Sequence, residues 1–231
     1  MNTLNNERVS AVLTRLHRQA DATDHALLQE MKDRLGEAET PIEDVAAQMI
    51  ADEAADYRQV YAGYSKHFLA VTPAYGRFLY AMARACRADR IVEFGTSMGV
   101  STIYLAAAMR DNGGGMVIAT ELEPSKAARA RAHLEDAGLS DLVDLRCGDA
   151  LETLRDGGRP VDLALIDGAW SLYLPILKLI EPRLRAGSVV LAENAFAQDY
   201  LDYVREPANG YLAQTLAIDK GRGNEFAVRV A

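Results

Sequence analysis

The chain has 231 residues, 49% of them hydrophobic and 25% charged, with a formal net charge of -8 at pH 7. This fits one globular domain of generous size with a helical appendage. It argues against non-specific binding to nucleic acid or an anionic membrane, both of which need a basic surface. Two cysteines, Cys86 and Cys147, are too few for a disulfide framework or a zinc site. No apolar run reaches the roughly 18 residues of a membrane span, and Met1 to Glu7 lack the basic and apolar regions of a signal peptide. The expectation is a cytoplasmic protein with a small-molecule partner.

In chain order, residues before about 90 read as helices: Val9 to Leu16, Asp24 to Leu35 with Gly36 as a stop, Pro41 to Phe68 with Thr40-Pro41 as its start, and Pro73 to Cys86. After residue 90, short apolar runs alternate with helical stretches. The runs are 91–94, 116–120, 142–145, 161–166 and 188–191, with helices at about 99–110, 124–137, 149–156 and 170–185. Such alternation predicts a parallel sheet covered on both faces. Residues 211–218 and 225–230 flank a glycine-rich turn and predict a closing hairpin with an antiparallel strand. The predicted organisation is a helical N-terminal cap or dimerisation segment, 1–70, before an α/β domain, 71–231.

The segment from Arg90 to Leu105 runs an apolar strand into a turn, Gly95-Thr96-Ser97-Met98-Gly99, that opens a helix. Glycines allow close backbone approach, and the helix start offers unpaired N–H groups. The turn matches G-x-S-x-G, the nucleophile elbow of hydrolases, which needs a histidine late in the chain. None follows His133. It also approximates the dinucleotide fingerprint, with Glu121 as the acid for the ribose, but Ser97 stands at the middle glycine position and the third glycine is missing. Glu93, inside the first strand, would repel phosphates and attract a cationic ligand. S-adenosylmethionine, with its ammonium and sulfonium, is such a ligand.

These residues resemble the class I methyltransferases of the catechol O-methyltransferase-like group, over about residues 70–231. The resemblance rests on five segments in order: Val92 to Thr96 with Gly99 and Ser101, Thr120 to Pro124, Gly148-Asp149-Ala150, Leu165 to Gly168, and Leu184 to Asn194. It implies a Rossmann-like seven-stranded sheet with six parallel strands and one antiparallel. It also implies that Glu93, Gly95, Thr96, Ser97 and Ser101 hold the methionine part of S-adenosylmethionine, and that Glu121, beside Leu122, takes the ribose hydroxyls. Asp149 and Ala150 would border the adenine, while Val71 with Gly76 closes over the site and Asp167 flanks it. In many relatives an Asp, an Asp-Asn pair and a divalent cation hold two acceptor oxygens, with a lysine assisting.

Here Asp167 and Asn194 match that pattern, Glu193 replaces the second Asp, and Trp170 stands where lysine is expected. Glu193 keeps an oxygen donor for Mg²⁺. Trp170 cannot act as a base but offers a flat apolar wall. The base would then be Glu193, Asp167 or a residue of the N-terminal segment. Tyr57, Tyr61, Tyr64 and Phe68, with His67 beside them, are spaced as one aromatic helical face, either a lid for a flat acceptor or a packing surface. The resemblance further implies a homodimer. The expected function is methyl transfer to oxygen of a small hydroxylated aromatic. N- or C-transfer without metal, a non-catalytic S-adenosylmethionine-binding protein and a nicotinamide oxidoreductase stand as alternatives.

Overall fold

The computed structural model describes residues 2–37, 42–156, 158–219 and 223–231. Helices α1 (Glu7–Glu37), α2 (Ile42–Ala55), α3 (Tyr57–Gly63) and α4 (Pro73–Ala85) precede the sheet. There follow β1 (Arg90–Phe94), α5 (Val100–Asn112), β2 (Met116–Glu121), α6 (Pro124–Ala137), β3 (Val143–Cys147) and α7 (Ala150–Thr153). The chain then forms β4 (Val161–Ile166), α8 (Tyr173–Ile180), β5 (Leu184–Ala192), α9 (Gln198–Arg205), β6 (Tyr211–Leu216) and β7 (Asn224–Arg229).

The seven strands are ordered β3-β2-β1-β4-β5-β7-β6, with β7 antiparallel to both of its neighbours and the other strands running one way. This is the expected Rossmann-like architecture. Successive residues of a strand face opposite sides, and in the central strands β1, β2 and β4 both sides are dry. Ile91, Leu163, Leu165 and Leu191 pack under α1, α4 and α5, whereas Val92, Ile166 and Val190 pack under α8 and α9. β4 is buried at all six positions, which is why it reads as an unbroken apolar run.

The helical boundaries depart from expectation in the N-terminal part. α1 is one continuous helix through residues 17–23, where the sequence suggests a break, because Val9, Val12, Leu13, Leu16 and Ala20 form one stripe buried in the core. The predicted helix 41–68 is two helices. Asp56 interrupts it by turning its own carboxylate onto the N–H of Gln59, capping α3, which ends at Gly63. The Thr40-Pro41 start and residues 220–222 of the predicted hairpin turn lie outside the described residues. The predicted helix 170–185 is α8 flanked by single 3-10 turns, and α9 was not expected.

Strand order reverses between β1 and β4, since the chain moves out through β2 and β3 and then returns to the other side of β1. In open α/β sheets ligands bind beyond the carboxyl ends of the strands at such a switch point. The sequence features of interest converge there.

Candidate active site

A cavity of about 410 Å³ opens at that point, bounded by the ends of β1, β2 and β4 and roofed by α1, α2, α3 and residues 69–73. Val71, Gly95, Ser97, Glu121, Leu122, Asp149, Ala150, Asp167, Trp170 and Asn194 line it. Glu93, Thr96, Ser101 and Glu193 do not reach its wall, and Gly76 packs against the Tyr104 ring instead.

The turn after β1 is fixed from several sides. Gly95 has φ +94°, and a Cβ there would lie 2.0 Å from the Asp167 carbonyl oxygen, so only glycine fits. The Asp167 N–H donates to the Phe94 carbonyl at 2.8 Å, and the Thr96 N–H to the Thr120 carbonyl at 2.9 Å. Glu93 is wholly buried and accepts the hydroxyls of Thr96 (2.9 Å) and Thr102 (2.6 Å). Burial pushes its carboxyl pKa up, and the Thr102, Ser101 and Thr96 hydroxyls pull it back. Its observed work is to brace the turn from beneath.

Glu121, at the end of β2, presents its carboxylate to the cavity while one oxygen accepts the Ser97 N–H at 2.6 Å and the other the Glu123 N–H at 2.8 Å. Burial raises its pKa against the pull of those N–H groups and of the Lys126 charge. Lys126 is itself buried and donates to the Ser97 hydroxyl at 3.3 Å, and burial lowers its pKa. Asp149 caps α7 through the Leu151 N–H at 3.0 Å and accepts the Tyr57 hydroxyl at 2.6 Å and an Arg58 N–H. Burial pushes its carboxyl up, but the Tyr57 and Arg58 bonds outweigh this and hold it below the usual range.

Across the cavity, Trp170 opens the 3-10 turn after β4 and meets Phe196 edge to face, with ring centroids 5.8 Å apart. Glu193 is 2% exposed, and an oxygen of its carboxylate accepts the Asn194 side-chain amide. The Glu193 carbonyl accepts the Tyr173 hydroxyl at 2.6 Å. Tyr75 lies fully buried nearby, its hydroxyl without a hydrogen-bond partner among the described residues. Burial, then the charges of Glu193 and Asp167, raise its pKa well above the ordinary tyrosine value.

The N-terminal helices supply the rest. Tyr57, Tyr61 and Tyr64 line the cavity as one aromatic side, but Phe68 is buried against the core below them, and His67 pairs with Asp24 of α1 at 3.2 Å, off the wall. Glu53 of α2, buried and on the wall, accepts the Ser171 N–H at 2.7 Å. The Tyr61 hydroxyl stands 3.3 Å from the other Glu53 oxygen and 3.1 Å from the Gly168 carbonyl. Sequence reasoning missed Glu53 and Lys126, because each is a charged residue on an amphipathic helix that nothing local marks as buried.

Residues 92–195 match the model of a methyltransferase domain. That stretch is similar to the class I methyltransferases. The chain is 34% identical over 130 residues to a catechol O-methyltransferase of Niastella koreensis, covering 54% of this chain and 58% of that one. To a catechol O-methyltransferase of Mycobacterium tuberculosis it is 33% identical over 151 residues, covering 65% and 64%. The chain thus spans about three fifths of the length of these curated relatives. A solved O-methyltransferase of Streptomyces achromogenes, involved in tomaymycin synthesis and in complex with S-adenosylmethionine, superposes with a TM-score of 0.64 at 25% identity, over 79% of this chain and 90% of that one. The matched span runs from within β1 to just past β5 and holds the turns that meet the cavity. Glu53, Tyr57 and Tyr61 lie before it.

Proposed function

We propose that this protein transfers the methyl group of S-adenosylmethionine to an oxygen of a small hydroxylated aromatic acceptor. The observation that carries the reading is that one cavity holds both a carboxylate aligned by two backbone N–H groups, Glu121, and the aromatic side chains of Trp170, Tyr61 and Tyr64. Glu121 would accept both ribose hydroxyls, a bidentate task that suits a carboxylate. Gly95 and Ser97 let the amino-acid part of the cofactor run close to the backbone, over the turn that Glu93, Thr96 and Ser101 brace. Leu122, Ala150 and the Asp149 clasp would border the adenine, and Val71 would close over the chain of the cofactor.

Methyl transfer needs the acceptor oxygen aligned behind the sulfonium carbon, so positioning supplies much of the rate. Trp170, Tyr61 and Tyr64 would hold a flat ring, and Asp167 would orient its hydroxyl. Among the described residues, seven carboxylates line the cavity against one lysine, Lys126, which favours a neutral or cationic acceptor over a carboxylate-bearing one. No group of three or more His, Cys, Asp or Glu side chains that could hold a metal occurs among the described residues. Asp167, Glu193 and the Asn194 amide oxygen are nonetheless all hard oxygen donors grouped at the ends of β4 and β5, and this chemistry fits Mg²⁺. We include a divalent cation that Asp167 and the Asn194 amide oxygen would hold at the wall, with Glu193 joining them from behind it, and that would lower the pKa of an acceptor hydroxyl when bound.

We extend the reading to a cytoplasmic homodimer. No helix among the described residues is long and apolar enough to cross a membrane. Leu212 on the edge strand β6 and Val230 expose apolar surface that a second copy would cover.

Calorimetry with S-adenosylhomocysteine, followed by Mg²⁺ titration into the saturated protein, tests the core of this. The expected result is nucleoside binding by the wild type and a saturable cation site that Asp167→Ala abolishes. Nucleoside binding with no cation site would remove the metal from the proposal. Failure to bind the nucleoside would overturn the methyl-transfer reading.

A further inference from the structure

Resting on that reading, we infer that Glu53 is the base that takes the proton of the acceptor hydroxyl. The group at the Trp170 position donates an N–H and cannot accept a proton at neutral pH, so the proton must go elsewhere. Of the histidines, His67 is off the cavity wall and tied to Asp24, while His17 is bonded to the Tyr104 hydroxyl at 2.9 Å under α1. Glu193 is also off the wall, and Asp52 is exposed with Gln48 donating to it. Glu53 is buried at 4% exposure and on the wall, and it is tied directly to the turn that carries Trp170.

Its two ties fix the carboxylate without exhausting it. The Ser171 N–H takes one oxygen and the Tyr61 hydroxyl approaches the other, whereas an ionised carboxylate offers about four lone-pair sites. The Tyr61 hydroxyl also reaches the carbonyl of Gly168, so the pair stands beside Asp167, the residue proposed to orient the acceptor hydroxyl. In the step itself the acceptor oxygen forms its bond to the methyl carbon as the carbon–sulfur bond breaks. The electron pair of that bond stays on sulfur, giving neutral S-adenosylhomocysteine, and the acceptor proton passes to a Glu53 carboxylate oxygen and on to water.

The competing role for Glu53 is a mechanical staple between α2 and the 168–171 turn. Glu53→Gln separates the two, because the amide oxygen still accepts the Ser171 N–H while the basicity is lost. The probe is 4-nitrocatechol, whose visible absorption moves when it ionises, added to protein saturated with S-adenosylhomocysteine and Mg²⁺ at a pH where the free probe is mostly neutral. The expected result is a phenolate spectrum on the wild type and on Tyr61→Phe, and its loss on Glu53→Gln, with nucleoside affinity unchanged. With catechol and S-adenosylmethionine, Glu53→Gln should lower kcat about 100-fold, the scale of general-base catalysis.

An undiminished phenolate spectrum on Glu53→Gln, or equal loss on Tyr61→Phe, would overturn the assignment and leave a staple. A wild type that binds the nucleoside and the probe without ionising it would overturn it too. A wild type that binds the nucleoside but not nitrocatechol would instead overturn the phenolic acceptor proposed above, and Glu53 with it.

Discussion

The two walls of the cavity are built by different means. The wall at β1 and β2 is made of backbone: a glycine turn, strand ends, and the N–H groups of Ser97 and Glu123 that hold the Glu121 carboxylate. The wall at Trp170 is made of side chains that come from far away, with Glu53 meeting Ser171 and Tyr61 meeting Gly168 across more than 100 residues. Backbone geometry is set by short-range rules and tolerates little change. Side-chain ties across distant helices depend on how those helices dock, and each tie is worth only about 0.5–1.5 kcal/mol, or more where a charge takes part.

The sharpest way to break the comparison is at Gly95. Gly95→Ala places a methyl group into the Asp167 carbonyl and forces a residue with a Cβ into φ +94°. The expected cost is about 3 kcal/mol or more of stability, read by chemical denaturation, together with loss of nucleoside binding. An unchanged midpoint would mean that the backbone wall is softer than its contacts suggest.

Glu121→Gln comes next, since it keeps the shape of the side chain and removes its charge. Bonds to a charged acceptor are worth about 1.5–3 kcal/mol, so affinity for S-adenosylhomocysteine should fall roughly tenfold to a hundredfold by calorimetry.

The smallest effect belongs to the Asp149 clasp and is read by pH. Its carboxyl is held below the usual range in the folded protein, so its stabilisation is present above the unfolded-state value and is lost as pH falls through the folded one. Below about pH 4, the ordinary carboxylate range, amides of α3 should exchange with solvent faster while those of β1 and β2 stay protected. Asp149→Asn should remove that pH dependence. An α3 indifferent to both would show that Tyr57 and Arg58 are not what docks it.

The same contrast explains what the amino-acid sequence reveals. The sheet was legible because the central strands β1, β2 and β4 are buried on both faces and mostly apolar, and the wall at β1 and β2 because its residues stand in short motifs at strand ends, Glu93 with Gly95 and Glu121 with Glu123. Trp170 and Asn194 could be placed by resemblance. Glu53 could not, for nothing within ten residues of it indicates that Ser171 will stand opposite. Nor did the spacing of Tyr57, Tyr61, Tyr64 and Phe68 disclose that Asp56 ends one helix and caps the next, which turns Phe68 away from the other three. Helical periodicity says which residues share a face only while the helix continues.

The tie between α2, α3 and the 168–171 turn also bears on how such a protein diversifies. The turn takes part through backbone groups, the Ser171 N–H and the Gly168 carbonyl, which any residues but proline at 171 would retain. The helices alone contribute variable atoms. On the proposed function, new acceptor preferences can therefore arise by drift or by grafting within 42–63 while β4 and the Asp167 that follows it are inherited unchanged, and that stretch is the natural place to engineer.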